Sequence, residues 1–158
     1  MTVTEWFARP ILNVTDVEAS LRFYVERLGF TCPWRFDEDG KAYVAQVDRQ
    51  GCSLILAKTW PEKVGKALLF ISLNVGSLNV EPASPQATAV SGQVAASAAS
   101  GQVAGTATSA RVAATAALDA LRAEFEAKGV AVKDGKWGYR LLVVDDPDGN
   151  QLLFNYPK

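Results

Sequence analysis

The stretch "PILNVTDVEASLRFYVERLGF", residues 10–30, decides the fold because it joins a strand signal to a complete helix signal. Arg9 to Val14 is an extended apolar run, which predicts a strand. Thr15 and Glu18 have the spacing of a capping box, in which two side chains satisfy free backbone N–H groups at a helix start. Gly29 is placed to end the helix. Between these signals, apolar residues recur at helical spacing: Val17, Leu21, Tyr24 and Leu28.

Parts of this stretch occur a second time in the chain. The helix sequence "LRFYVERLGF" at residues 21–30 matches "LRAEFEAKGV" at residues 121–130, an offset of 100. Two further matches keep the same order: "ILNV" at 11–14 with "SLNV" at 72–75, an offset of 61, and "DRQGCSLIL" at 48–56 with "DPDGNQLLF" at 146–154, an offset of 98. The chain therefore contains two copies of one module.

Each copy predicts a strand, a helix and three further strands, which is a βαβββ order. The first module is predicted over residues 7–58 and the second over residues 68–157, within a single domain of residues 1–158. Asp39-Gly40 and Asp146-Pro147-Asp148-Gly149 are turn signals between strands. The predicted fold class is α+β, with two βαβββ modules that form mixed sheets.

Residues 91–117 are a tandem repeat of nine-residue units, SGQVAASAA, SGQVAGTAT and SARVAATAA. The jump in offset from 61 to 100 places extra residues between the first strand and the helix of the second module. We therefore predict a low-complexity insertion at residues 76–115. Its Ala/Ser/Gly/Thr-rich composition favours a flexible excursion that becomes helical toward its alanine-rich end.

The composition excludes several functions. The 158 residues carry a formal net charge of -1, so the chain has no basic footprint for nucleic acid or an anionic membrane. There is no histidine, which removes the commonest transition-metal ligand and the usual general base near neutral pH. Cys32 and Cys52 have neither metal-site spacing nor the density of a disulfide scaffold. Without a membrane-span or signal-peptide pattern, we expect a soluble, cytoplasmic protein.

Two stretches, residues 10–30 and "WGYRLLVVDDPDGNQLLF" at residues 137–154, resemble the vicinal oxygen chelate superfamily. That superfamily holds glyoxalases, extradiol dioxygenases, fosfomycin-resistance enzymes and bleomycin-resistance proteins. The resemblance covers both modules and fails over the repeats. It implies that the strands of each module curl into a cup, with the helix outside and a ligand inside.

Catalytic members of the superfamily hold one divalent metal with His, Gln or Glu side chains that face into the cup. The resemblance places the corresponding positions at Arg9, Ile55, Phe70 and Leu153. None of these four side chains offers a metal a lone pair, so we predict neither a metal nor another cofactor. A second "SLNV" at residues 77–80 leaves open a later register with Val75 in place of Phe70, and the prediction is then the same.

Strand alternation predicts the lining of the cup. On the cup side we place Ile11, Asn13, Ser53, Ala57, Ser72, Asn74, Gln151 and Asn155. Under the helices we place Leu12, Val14, Leu54, Leu56, Ile71, Leu73, Leu152 and Phe154. The predicted ligand-binding residues combine the positions from the resemblance, one lining amide, the aromatic residues near the mouth of the cup and two arginines that could hold an anionic group. They are Arg9, Asn13, Trp34, Tyr43, Ile55, Trp60, Phe70, Trp137, Tyr139, Arg140 and Leu153.

An aromatic-lined cup without histidine is most similar to the bleomycin-resistance branch, whose members sequester a drug between the subunits of a dimer. The first hypothesis is therefore a metal-independent, homodimeric protein that binds an apolar or amphipathic small molecule and gives antibiotic resistance. The alternative is a glyoxalase- or dioxygenase-type enzyme with non-standard site residues, among them Arg9, Tyr43 or Tyr139. A third hypothesis is a structural role in which the repeats contact a partner.

Overall fold

The computed structural model describes residues 7–73 and 102–157. In chain order the elements are β1 (Ile11–Asn13), α1 (Val17–Arg22), a π-helical turn (Phe23–Arg27), β2 (Thr31–Glu38), β3 (Lys41–Arg49), β4 (Cys52–Ala57), a 3-10 turn (Pro61–Lys63), β5 (Leu68–Ile71), α2 (Gln102–Ala127), β6 (Val132–Lys136), β7 (Arg140–Asp145) and β8 (Gln151–Asn155). Both halves of the chain therefore have the predicted βαβββ order.

The strands form two four-stranded mixed sheets. The first has the order β1-β4-β3-β2 and the second the order β5-β8-β7-β6. In each sheet the first strand of the module pairs parallel with its last strand, and the other pairs are antiparallel. The two sheets thus have the same topology and neither closes among the described strands, which confirms the predicted α+β fold of two repeated modules.

The hydrophobic core lies between the helices and the helix-facing sides of both sheets. Residues of the two modules belong to one buried cluster, in which Tyr24, Leu28 and Phe125 are helix residues that are almost fully buried. The predicted alternation is confirmed for the strand residues of this cluster: Leu12, Val14, Leu54, Leu56, Leu152 and Phe154. Because both modules share this core, the opposite sides of the two sheets face outward.

The start of α1 differs from the predicted capping box. Asp16 is the N-cap, and its carboxylate accepts a hydrogen bond from the backbone N–H of Ala19 at 3.1 Å. Glu18 instead accepts a hydrogen bond from the backbone N–H of Ala42, and the Thr15 hydroxyl donates to Asp148. The capping-box prediction was wrong because Thr15 and Asp16 are both good capping residues, and contacts with distant residues decide between them.

Helix α2 extends into the predicted insertion. It begins at Gln102, so residues 102–115 are helical and continuous with the helix that Leu118, Leu121 and Phe125 anchor in the core. The alanines of the last repeat have high helix propensity, which lengthens the helix beyond its packed part. Predictions for residues 76–101 lie outside the described residues. Within the described ranges, no helix is long and apolar enough to cross a membrane.

The end of the third strand of each module contacts the helix of the other module. Asp146, directly after β7, accepts a hydrogen bond from the buried Tyr24 hydroxyl at 3.2 Å. Arg49, at the end of β3, forms two hydrogen bonds with the Glu124 carboxylate, at 2.9 and 3.1 Å. Tyr24 and Glu124 occupy the same position of the repeated helix, at the offset of 100. The two contacts are thus related by the pseudo-symmetry of the modules, but one is a tyrosine–aspartate hydrogen bond and the other is an arginine–glutamate ion pair.

The predicted turn at Asp146–Gly149 is confirmed, and Asp146 organises it. One carboxylate oxygen accepts hydrogen bonds from the backbone N–H groups of Asp148 and Asn150, both at 2.9 Å. The other accepts from the Asn150 side-chain amide at 2.8 Å and from Tyr24. Burial raises the pKa of the Asp146 carboxyl, and the hydrogen bonds from Asn150 and Asp148 oppose that shift.

The same turn docks on the first module. The Thr15 backbone N–H donates to the Asp148 carboxylate at 3.1 Å, and the Asn150 amide donates to the Asn13 carbonyl at 3.2 Å. Gly65, with a φ of +69°, passes so close that a Cβ there would lie 2.1 Å from the Asp148 carbonyl oxygen. Only glycine fits this approach, so the connection between the modules is fixed against the turn.

Candidate functional site

We call the side of each sheet that points away from the helices its cup face. Strand pairing places one row of side chains across the first cup face: Ile11, Ile55, Gln46 and Trp34. It places a matching row across the second: Phe70, Leu153, Val143 and Lys133. Each row begins on an edge strand and crosses its whole sheet, so the rows define the centres of the two cup faces.

Large apolar side chains are exposed on these cup faces. Six of them have between 47% and 55% of their surface exposed: Ile11, Trp34, Phe36, Leu68, Phe70 and Trp137. Clustered exposed apolar surface of this kind marks sites for ligands or partner proteins. The exposed apolar surface therefore points to the cup faces as the candidate site.

The positions at which relatives hold a metal carry hydrocarbon side chains. Ile55 and Leu153 are at the centres of the last strands, and Phe70 pairs with Leu153. In the first module the residue that pairs with Ile55 is Ile11, whereas Arg9 precedes β1 and stacks on the Phe7 ring at 4.4 Å. The structure thus matches Ile11 with Phe70, two residues away from the match of the "LNV" sequences.

These side chains do not fit a metal, because hydrocarbon offers no lone pair. The chain contains no histidine. Nowhere in residues 7–73 or 102–157 do three Cys, Asp or Glu side chains come together as a metal site. We therefore derive no chemistry through a metal.

The second cup face has an aromatic roof over an aliphatic floor. The roof consists of Phe70, Trp137 and Tyr139: the Phe70 and Trp137 rings are nearly parallel with centroids 6.2 Å apart, and Tyr139 meets Phe70 edge-on. The floor consists of Leu141, Val143 and Leu153, which form a buried cluster against which Tyr139 packs. The structure thus brings together four of the predicted site residues, Phe70, Trp137, Tyr139 and Leu153.

The first cup face has no such roof and carries a polar centre. Trp34 lies opposite Gln46, and Phe36 lies opposite Val44. The Gln46 amide donates to both oxygens of the Asp48 carboxylate, at 2.9 and 3.0 Å. Among the described residues no Lys or Arg forms an ion pair with Asp48. This cup face therefore offers aromatic surface beside an uncompensated negative charge.

Phe36, Gln46 and Asp48 were not predicted as site residues, because alternation was used to place residues only on the first and last strand of each module. Bulges also disturb the pairing of β2 with β3. The register of these strands shifts twice, once between Thr31 and Trp34 and once between Phe36 and Asp37. The second shift adds Tyr43 to β3. Since Ala42 and Ala45 are both buried on the helix side, Tyr43 and Val44 share the cup face.

The second cup face ends in an ion pair. Lys133 donates a hydrogen bond to one oxygen of Asp145, and the Gln151 amide donates to the other at 2.9 Å. The Lys133 hydrogen bond holds the pKa of the Asp145 carboxyl below its usual value. Because Lys133 compensates Asp145, the two cup faces differ in charge as well as in shape.

Apart from Tyr43, Trp137 and Tyr139, which lie on the cup faces, four predicted site residues lie outside the two rows. Arg140 is on the helix side of the second sheet, where it pairs with Asp134 at 3.3 Å and stacks on Tyr156 at 4.3 Å. Trp60 follows the first sheet, with the Lys63 ammonium 4.6 Å from its ring. Arg9 precedes β1, and Asn13 is buried at its end with an amide oxygen that accepts no hydrogen bond from the described residues. The structure thus does not place Arg140 where a cup ligand would reach it.

Two cavities, of about 500 and 380 Å³, lie away from the cup faces. The larger lies between the α1 side of the first module and the end of β7, and its lining includes Phe23, Val130 and Pro147. The smaller lies beside α2, around Val112. Neither is lined by a predicted site residue. The exposed aromatic surface, and not cavity volume, identifies the cup faces as the candidate site.

The repeated βαβββ topology and the two cup faces define a two-module protein of the glyoxalase type. Residues 6–154 match the model of the Glyoxalase/Bleomycin resistance protein/Dioxygenase superfamily. The chain belongs to this superfamily. No curated protein matches the chain significantly.

Solved structures share this fold at low sequence identity. TnmS3, an antibiotic binding protein from Streptomyces sp. CB03234, is 21% identical with a TM-score of 0.56, over 99% of this chain and 100% of that one. The bleomycin-binding protein of Streptomyces verticillus, complexed with copper(II)-bleomycin, is 19% identical with a TM-score of 0.56, over 99% and 100%. A glyoxalase/bleomycin resistance protein from Catenulispora acidiphila DSM 44928 is 18% identical with a TM-score of 0.59, over 98% and 100%.

Proposed function

We propose that the protein binds a small apolar or amphipathic molecule on its cup faces, without a metal, and sequesters it without chemical change. The observation that carries the proposal is the exposed aromatic surface of the cup faces. It lies near the positions at which the family resemblance places metal ligands and where this chain has Arg9, Ile55, Phe70 and Leu153. Two proteins of the same fold are an antibiotic binding protein and a bleomycin-binding protein, which supports antibiotic sequestration as the biological role. The side chains at the positions of the metal ligands do not favour the alternative of a metal-dependent enzyme.

A ligand that fits the first cup face has a flat apolar part and a hydrogen-bond donor or positive charge. The flat part stacks on Trp34 and Phe36, whose faces are exposed. The donor or charge lies at the Asp48 carboxylate. Among the described side chains, only Gln46 donates hydrogen bonds to this carboxylate. Bringing a cation to an uncompensated carboxylate offsets the cost of desolvating both groups.

The complete cup needs a second copy of the chain. The two cup faces of one chain point away from the core that the modules share, so one chain does not bring them together. Among the described strands, β1 and β5 are each an edge strand of an open sheet, as are β2 and β6. In the proposed homodimer, the first sheet of one copy joins the second sheet of the other, which closes a cup and covers exposed apolar surface.

The proposal is tested by titrating the protein, in the presence of EDTA, with N-phenyl-1-naphthylamine as a neutral apolar probe and proflavine as a flat cationic one. We expect saturable binding of proflavine, followed by tryptophan quenching, and recovery of the dye unchanged after incubation. Light scattering during size-exclusion chromatography is expected to give twice the mass of 17.0 kDa. Failure of both dyes to bind, or chemical conversion of proflavine, contradicts the proposal.

A further inference from the structure

Matched positions on the two cup faces differ in their burial. Leu153 is 4% exposed, whereas Ile55, at the same place in the first module, is partly exposed. Leu141 is 2% exposed, whereas Val44 at the matched place is also partly exposed. Ile55 and Leu153 have the same strand pairings in their sheets, whereas Val44 lies opposite Phe36 beside a bulge and Leu141 lies opposite Gly135. Strand pairing therefore does not account for the burial of Leu153.

The aromatic roof lies beside this floor, since Tyr139 packs against it. Its rings come from opposite edges of the second sheet: Phe70 is on β5, while Trp137 and Tyr139 belong to the loop between β6 and β7. In the first module, Ile11 occupies the place of Phe70, and the matching hairpin has the tight Asp39-Gly40 turn without an aromatic residue. The second cup face thus has a cover made of its own side chains.

We propose that the aromatic roof is a gate, which closes the second cup face in the free protein and which a ligand displaces to reach the floor. This inference rests on the proposed function, because it takes the floor as part of the surface that the ligand occupies. The loop is suited to move: Trp137 is about half exposed, and the space beside Gly138 is empty, since a Cβ there would meet no atom within 4 Å.

A closed gate weakens the apparent affinity of a ligand, because the apparent dissociation constant is the intrinsic one divided by the fraction of molecules that are open. Two ring contacts of Phe70, one with Trp137 and one with Tyr139, help to hold the gate closed. Removing the Trp137 ring breaks one of these contacts and leaves the floor unchanged. The gate is therefore separable from the surface that it covers.

The test measures access to the floor without any ligand. In a Cys32→Ser, Cys52→Ala background, Leu153→Cys places a thiol on the floor and Ile55→Cys places its matched control on the first cup face. The probe is 5,5′-dithiobis(2-nitrobenzoic acid). We expect the Leu153→Cys thiol to react at least about tenfold more slowly than the Ile55→Cys thiol, as for a minor open state. Adding Trp137→Ala is expected to raise the Leu153→Cys rate about tenfold and to leave the Ile55→Cys rate unchanged.

Equal rates for the two thiols, or no acceleration by Trp137→Ala, would overturn the gate. If Leu153→Cys does not fold, Val143→Cys with Gln46→Cys as its matched control makes the same comparison and carries the same two outcomes. Because the labelling needs no ligand, a failed gate is distinguishable from a failed function. The proposed function fails when neither proflavine nor N-phenyl-1-naphthylamine binds, or when proflavine is chemically converted, whatever the labelling rates are.

Discussion

Replacing Tyr24 with phenylalanine should destabilise the protein through the contact between the modules. The Tyr24 hydroxyl is fully buried and donates to the Asp146 carboxylate at 3.2 Å, while the Phe23 and Phe30 rings hold the tyrosine ring edge-on. The substitution removes only the hydroxyl, so the ring packing is kept. A hydrogen bond to a charged group contributes about 1.5–3 kcal/mol, and leaving a buried carboxylate one donor short adds to the loss. The length of this bond favours the lower end, about 1.5 kcal/mol.

The assay is urea unfolding followed by circular dichroism, with Tyr43→Phe as the matched control. The Tyr43 side chain lies on the cup face and is partly exposed, so its free energy of unfolding should change by less than about 0.5 kcal/mol. Asp146→Asn and the double variant complete a cycle, in which a coupling free energy of about 1 kcal/mol is expected between the two side chains. A Tyr24→Phe variant as stable as the wild type would refute the account of this contact.

Two further predictions concern charged groups. Arg49 holds the pKa of the Glu124 carboxyl below its usual value, so this ion pair stabilises the fold above the ordinary glutamate pKa, and the stabilisation is lost as the pH falls through the lowered pKa. Glu124→Gln should therefore lower the free energy of unfolding by about 1 kcal/mol at pH 7 and by much less near pH 3. The value at pH 7 is small because both side chains are partly exposed. Equal losses at both pH values in urea unfolding would contradict this. Arg140→Gln should leave the affinity for proflavine unchanged, since Arg140 lies on the helix side with Asp134 and Tyr156. A loss of affinity of more than about threefold in calorimetric titration would show that Arg140 belongs to the binding site.

The sequence predicted most of the fold because the module occurs twice. Helical spacing in residues 21–30 and 121–130 and the repeated turn signals gave the order of elements without long-range information. It did not predict that Asp16 caps α1 or that Asp146 meets Tyr24, because both depend on residues far apart in the chain. Tertiary contacts select among local alternatives that the sequence leaves equal.

The candidate site was predicted in part. Strand alternation and aromatic content found Trp34, Phe70, Trp137 and Tyr139. Asp48 and Gln46 were missed, since alternation was used to place residues only on the first and last strand of each module, whereas these two residues lie on β3. Arg140 was predicted to hold an anionic group of the ligand. It directly precedes Leu141, a cup-face residue of β7, so its side chain lies on the helix side of the sheet.

The central claim is that the cup face binds a flat amphipathic molecule without a metal. The most direct measurement is calorimetric titration of proflavine, in EDTA, into the wild type, Trp34→Ala and Val112→Ala, where Val112 is an exposed apolar residue on α2. The account predicts that Trp34→Ala weakens binding at least about tenfold, or 1.4 kcal/mol, and that Val112→Ala binds as the wild type does. Binding that disappears in EDTA, or that is equally strong in Trp34→Ala, would contradict it.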